Sequence, residues 1–508
     1  MNTTEKTKNT TLTTVCCDTT ITHDVSEEFT LPDYVNEVRR VLTTRAQVLP
    51  ESKYIADTQG GVSLDFGGTV TYFVVYTDDE GKLCSTPLSS NYEATTILKS
   101  TPNDFFIDTI VDSVTTRVSA PRRLTIKSRL KSRIFGYCET EMAESITPKT
   151  NVDELYIERL GVTFDTIGVG SSSLQGIKVS DKFDTGALNS LRPVLCDANV
   201  ILKDVKSSNG SVSCRGEVSV KCLCESESEL IALSKSVPIY EEIALDGASV
   251  GDSARATARC VSLSISSEES DQGAQIFFDV VCEIDCEALR NEQITLTKDA
   301  YSTKNPIEAR YKDIEAYSLL KASNASLSVN EGVKKKSKEA LEVVDAFVDP
   351  VFEKCDIKGN TACFIGRLCA TVIAKTTTED FEYVCESYDI PVKYECEITR
   401  SCDDMICRAS FGACVTNAKY SDDKFMISAE VYPSVMALAK SSVGVLDSAI
   451  LKKDTEFKRD ASSVRVFFPK DGDILWEIAK KYHTTRDKII EQNSLDGESL
   501  DGIKSIIV

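Results

Sequence analysis

The sequence predicts a mainly β protein: three tandem β-sandwich-like repeats followed by a small βααβ module. Three observations carry that expectation. Strand-like stretches alternate apolar and polar residues with a period of two, the pattern of a half-buried strand. A glycine-led strand, turn and return strand recurs at a spacing of about 150 residues. At the C-terminal end the apolar spacing switches from two to the three and four of a helix. The resulting division is a disordered tail at 1–25, repeats at 26–150, 181–300 and 338–445, connectors at 151–180, 301–337 and 446–462, and the C-terminal module at 463–508.

The first copy of the repeat reads GGTVTYFVVYTDDEGKLCSTPLSSNYEATTIL from Gly67. The second reads GEVSVKCLCESESELIALSKSVPIYEEIAL from Gly216, and the third GRLCATVIAKTTTEDFEYVCESYDIPVKYECEI from Gly366. In each, an alternating strand opened by the glycine meets a polar turn, and the return strand carries a proline or tyrosine element. Pro238 with Tyr240 matches Pro391 with Tyr394 and, more loosely, Tyr92. Upstream, EFTLPDYVNEVRRVL from Glu28 parallels KFDTGALNSLRPVL from Lys182, and KEALEVVDAFVDP precedes the third copy. Alternating strands with no regular helix between them favour antiparallel sandwich packing over a parallel sheet. The Gly- and Ser-rich run from Ile167 to Ser180 and the lysine cluster within Ser323–Glu339 read as connectors, the latter leading into a short helical stretch. The Lys and the Ser or Thr that follow the glycines of a phosphate loop are missing from the first of them.

Composition narrows the function. With 58 Lys and Arg against 79 Asp and Glu the net charge is −21, which opposes general attraction to nucleic acid or anionic lipid. The basic stretch Arg122 to Arg133 reads as a strand with one solvated face. No apolar run is long enough to span a bilayer, and the N-terminus MNTTEKTKNTTLTTVCC lacks the apolar core of a signal peptide, so a cytosolic start is expected. The 19 cysteines are spread along a long chain and are expected to be mostly reduced, packing as small apolar side chains, as at the alternating Cys222 and Cys224. The only histidines are His23 and His483, and no pair of CxxC motifs occurs. No metal site, cofactor, Ser-His or Cys-His constellation or singled-out carboxylate pair emerges, so no catalytic residue is expected.

Residues 463–508 carry the sharpest local signal. Val464 to Phe468 reads as a strand and Pro469 to Gly472 as a turn; Asp473 is placed to cap a first helix. Leu475, Ile478, Ala479 and Tyr482 form its apolar face. Thr484, three residues before Asp487, opens a second helix with Ile489 and Ile490 inward, and Ser505 to Val508 closes the module as a strand. The string GD-x-LW-x-IA-x-x-Y, then T-x-x-x-I, an Asn and a terminal apolar strand resembles the LysM family. The resemblance implies a shallow groove for N-acetylglucosamine polymers. Its sides would be Gly472, Asp473, Ile474 and Leu475, facing Asn493, Ser494, Leu495 and Asp496. Ile474 stands where the family often has a hydroxyl residue, and LDGIKSI keeps only Gly502 of the usual lead into the last strand. Trp476 is expected in the core rather than as a sugar platform.

Three β-rich repeats ending in such a module, in an acidic, cysteine-containing chain, resemble the SipL family, whose repeats are called SPOCS domains. The motifs that carry this are the Gly-led strand, the turn and the VPIY or IP-x-x-Y return. The resemblance implies a non-catalytic scaffold of the bacterial endospore coat, made in the mother-cell cytoplasm and held at the forespore surface. Its LysM module would contact a spore morphogenetic ATPase or another coat protein. The alternative is a cell-wall protein that binds peptidoglycan.

Overall fold

The structure is a computed structural model. It describes residues 10–58, 61–98, 100–142, 156–186, 188, 190–226, 229–270, 273–339, 341–377, 382–452, 454–458 and 464–508. It is mainly β, built as three units of one path. The first unit comprises β1 (Thr10–Thr30), β2 (Arg40–Thr58), β3 (Gly61–Thr77), β4 (Leu83–Leu98), β5 (Asp104–Ala120) and β6 (Arg123–Met142). The strands β2, β3 and β4 form an antiparallel meander, while β6 lies between β1 and β5 in a second antiparallel sheet. The second unit repeats this with β7 (Ile157–Lys182), β8 (Arg192–Ser208), β9 (Ser211–Ser226), β10 (Glu229–Ala244), β11 (Ser253–Ser270) and β12 (Gly273–Ser302). In the third the opening strand is split into β13 (Ile307–Asn324) and β14 (Leu327–Lys334). Then follow β15 (Leu341–Lys358), β16 (Thr361–Thr376), β17 (Tyr383–Glu397), β18 (Met405–Ser421) and β19 (Lys424–Leu451). Both halves of the split strand, and β18, pair with β19.

Alternation along the middle strands makes the cores. In β3 and β6 the inward residues Leu64, Val70, Tyr72 and Val74 meet Leu124, Ile126, Leu130 and Ile134. The same layer forms between β9 and β12, and between β16 and β19. The basic run Arg123 to Arg133 occupies β6, whose buried positions alternate with solvent-facing ones, as its sequence suggests. The repeat glycines lie inside β3, β9 and β16 rather than opening them. A Cβ at Gly67, Gly216 or Gly366 would strike the carbonyl oxygen of Tyr92, Ile201 or Val351, so the neighbouring strand comes too close for any side chain. In every unit the partner of this glycine, Ser52, Leu202 or Phe352, borders a β-bulge in the first meander strand. Register also refines the proline match. Tyr92, Pro238 and Pro391 sit opposite the residue after the glycine, on outer meander strands where a missing N–H costs no ladder bond.

Several segments expected to be unstructured or helical are strands. Residues 10–25 of the expected tail lie in β1, and residues 1–9 lie outside the described residues. The expected connector at 151–180 is mostly β7, which pairs with β12, and that at 301–337 holds β13 and β14. Residues 446–451 of the third connector end β19, and the helical stretch expected before the third copy is β15. Within β7, a Cβ on Gly168 would strike the Glu292 carboxylate, while Gly176 takes the left-handed region at φ 75. Each opening strand pairs with the final strand of its own unit, a partner too far along the chain for local composition to reveal.

The units close into a ring. The last meander strand of each packs against the first of the next, β4 on β8, β10 on β15 and β17 on β2, while β1, β7 and β13 touch one another. Two polar clusters, the first of them buried, draw on every unit. In one, Glu287 of β12 accepts from Arg255 at 2.8 Å, Arg408 of β18 at 3.0 Å and the Tyr137 hydroxyl of β6 at 3.2 Å. In the other, Arg45 of β2 pairs with Asp197 of β8 at 3.2 Å and Asp349 of β15 at 2.6 Å. Burial, then the neighbouring Arg408, pulls Arg255 down to about 10. Removing Glu287 would strand two buried guanidinium groups. Glu287→Ala is therefore expected to cost about 3–5 kcal/mol in urea unfolding. A loss below about 1 kcal/mol, the range of an exposed pair, would show that the units do not depend on this junction.

Candidate functional site

The C-terminal module has the expected βααβ order: β20 (Val466–Phe467), α1 (Leu475–Tyr482), α2 (Arg486–Asn493) and β21 (Ile506–Ile507). The strand β20 pairs antiparallel with β21, joining Val466 to Ile507. Leu475, Ile478, Ala479 and Ile489 are buried, and Tyr482 rests its ring edge on Phe467. The caps differ from expectation by one residue. Asp473 does not cap α1: its carboxylate accepts the Lys470 N–H at 2.8 Å and closes the turn through Gly472, leaving Ile474 as N-cap with no side-chain bond. The short Asp side chain satisfies the nearer donor first. Thr485, not Thr484, caps α2 by accepting from the Lys488 N–H at 3.2 Å.

The proposed groove residues divide into two groups. Open to solvent are Gly472, in the left-handed region at φ 91, Ile474 at 53% exposure, Ser494 and Asp496, with Asp473 half-buried. Committed to the module are the other three. Leu475 is buried and Leu495 half-buried in one apolar cluster, which brings the two loops together from beneath. Asn493 spends its side chain on the chain itself: Nδ2 donates to the carbonyls of Ile489 and Ile507, both at 2.8 Å, and Oδ1 accepts the Ile507 N–H at 2.7 Å. It clamps the terminal strand to α2.

The seam that docks this module on the β body has no signal in the local sequence. Trp476 is buried, as expected, yet its partners come from β12. Its Nε1 donates to Asp299 at 2.8 Å, and the Tyr301 ring meets it edge-on at 4.8 Å. Asp299 also accepts Lys480 at 2.5 Å and the Tyr311 hydroxyl of β13 at 2.6 Å. The Tyr301 hydroxyl donates to the Thr484 carbonyl at 2.9 Å, Arg486 lies 3.7 Å from Glu158, and the His483 ring stacks on Phe457. Both histidines thus sit against aromatic rings, His23 on Tyr92. Only the separation of some 180 residues between Asp299 and Trp476 hid this contact from a local reading. None of the exposed groove residues takes part in the polar or ring contacts of the seam.

Fold and site together define a β-repeat protein that carries a small docked βααβ module. Residues 470–501 match the LysM domain family. No curated protein and no solved structure matches the chain. Among the described residues, no helix is long and apolar enough to cross a membrane, and no three His, Cys, Asp or Glu side chains gather as metal ligands.

Asp299 supplies a pH handle. Burial alone would raise its carboxyl, but hydrogen bonds from Lys480, Tyr311 and Trp476 outweigh it and hold the group below its ordinary value. A depressed carboxyl stabilises docking fully above the ordinary range and loses that contribution as pH falls below about 4. Trp476 is the single tryptophan, so its emission reports this seam. The emission is expected to shift to the red on acidification below about pH 4, and in Asp299→Ala to be shifted already at neutral pH. An unshifted Asp299→Ala spectrum would show that the module is not held by Asp299.

Proposed function

We propose that this is a non-catalytic assembly protein in which the closed β ring holds the LysM module and the module recognises a protein partner. The observation that carries this reading is the chemistry of the groove. Its most prominent exposed side chain is apolar Ile474, with the carboxylates of Asp471, Asp473 and Asp496 on the same two loops. Asn493, the amide best suited to read a sugar, is spent on β21. An apolar spot among carboxylates fits a protein surface of apolar and basic residues. The SipL-like order of repeats and LysM supports a place in the endospore coat, with a spore morphogenetic ATPase or other coat protein as partner, in the mother cell at the forespore surface.

The second reading is peptidoglycan anchoring. The LysM match favours it directly, because LysM domains commonly hold N-acetylglucosamine polymers. A glycan could use backbone groups of Gly472 and Ser494, which do not depend on side-chain identity.

The test exposes full-length protein in parallel to lysate of sporulating cells and to purified peptidoglycan. Capture of the morphogenetic ATPase without wall binding supports assembly; wall binding with no protein partner replaces it with the anchor. Ile474→Asp should lower partner capture by about tenfold, the scale of one buried anchor residue of roughly 1.4 kcal/mol. Trp476 emission should stay unchanged, since Ile474 is outside the seam. Undiminished capture by Ile474→Asp would remove the groove from the partner interface.

A further inference from the structure

Each unit brings two thiols from different strands together. In the first, Cys16 at the β1 bulge hydrogen-bonds Cys138 of β6. In the second, Cys196 and Cys222 face each other in register across β8 and β9 with Sγ atoms 3.0 Å apart. In the third, Cys355 of β15 and Cys407 of β18 are hydrogen-bonded, and this pair spans the two sheets of its unit instead of two paired strands.

The third pair differs in its setting. Both of its thiols line an open pocket of about 400 Å³ between the first and third units. Lys131, Arg133 and Lys354 stand in the wall with Asp18, Asp108 and Glu353. Arg133 donates to the Cys407 carbonyl and pairs with Asp18 at 3.3 Å. The hydrogen bond from Cys355 lowers the Cys407 thiol; burial opposes this, and the Arg133 charge adds to the lowering, so the net shift is downward. Cys355 is correspondingly pushed up. The other pairs lack this arrangement. The Cys16 thiol is raised to about 12, mainly by burial, and Cys222 is raised through its hydrogen bond with Cys196. A thiolate that solvent can reach is the reactive form of cysteine.

We propose that Cys407 and Cys355 form a redox-active dithiol that exchanges with small-molecule disulfides and closes a bond between the two sheets of the third unit. The Cys407 thiolate attacks one sulfur of the disulfide R–S–S–R, forming a mixed disulfide and expelling RS⁻. The proton of Cys355, no longer held by a Cys407 thiolate, passes to the departing RS⁻. The Cys355 thiolate then attacks Cys407 Sγ, forming the intrachain bond and expelling a second RS⁻, which takes the remaining proton from solvent. Two electrons leave the dithiol and reduce one R–S–S–R to two RSH. Arg133 acts as a positioning residue by stabilising the attacking sulfur.

The experiment treats fully reduced, full-length protein with oxidised glutathione, blocks remaining thiols with an alkylating agent at intervals and maps crosslinks by peptide mass spectrometry. The peptide joining Cys355 to Cys407 should appear about tenfold faster than those joining Cys196 to Cys222 or Cys16 to Cys138, since the exchange rate follows the thiolate fraction of the attacking sulfur. In Cys355→Ser, glutathione should accumulate on Cys407. In urea the preference among pairs should vanish. Equal or faster closure of Cys196 with Cys222, glutathione spread over other cysteines in Cys355→Ser, or an unchanged preference in urea would each overturn the proposal.

Discussion

A side chain at 3% exposure has no water to bond, so the Glu287 carboxylate relies on its three donors. Arg255 belongs to its own unit, Tyr137 to the first and Arg408 to the third. If any of the three sheets that supply them moves away, the buried Glu287 loses a donor. Arg408 is further gripped by the rings of Phe106 and Phe135, whose centroids lie 4.2 and 5.2 Å from its guanidinium carbon. The Tyr137 hydroxyl also contacts the Met436 sulfur at 3.1 Å, so the final strands of all three units meet around one side chain.

The second cluster, of Arg45, Asp197 and Asp349, has the opposite charge pattern. Where Glu287 is one anion between two cations, Arg45 is one cation between two anions, again from different units. Beside it the meanders share an apolar cluster of Val75 and Leu83, Val194 and Leu223, and Phe347 and Ile373. Apolar packing alone would tolerate one unit sliding against another, because it is not directional. Two clusters of inverse charge fix the angle as well as the distance, since a shifted unit would place carboxylate against carboxylate or guanidinium against guanidinium.

The repeat was legible in the sequence because its glycine is a steric necessity: at Gly67, Gly216 and Gly366 the neighbouring strand's carbonyl occupies the place of a Cβ. The alternation of β9 and β16 was legible for the same local reason. What stayed hidden was whatever a distant partner decides. The run of β7 that reads as a Gly and Ser linker becomes a strand only because β12 supplies its hydrogen bonds. In the terminal module the helices and their inward face followed from spacing, while the caps moved by one residue because Asp473 found a nearer donor in Lys470. Trp476 was recognisable as buried but not as an interface residue, since nothing near it in sequence names Asp299.

The placement of the LysM module depends on the ring. Asp299 lies near the end of β12, yet its two oxygens serve different elements. One accepts from Trp476 and Lys480 of the module, and the other accepts from Tyr311 of β13, the first strand of the third unit. If β13 is displaced, Asp299 loses Tyr311 and with it part of what offsets its burial, so the bonds to α1 weaken together with the contact between units two and three. Docking is therefore coupled to assembly of the ring, and the module is held in one orientation only on a body whose units have closed. In that orientation Trp476 and Lys480 face inward to Asp299, while Gly472, Ile474, Ser494 and Asp496 stay in solvent.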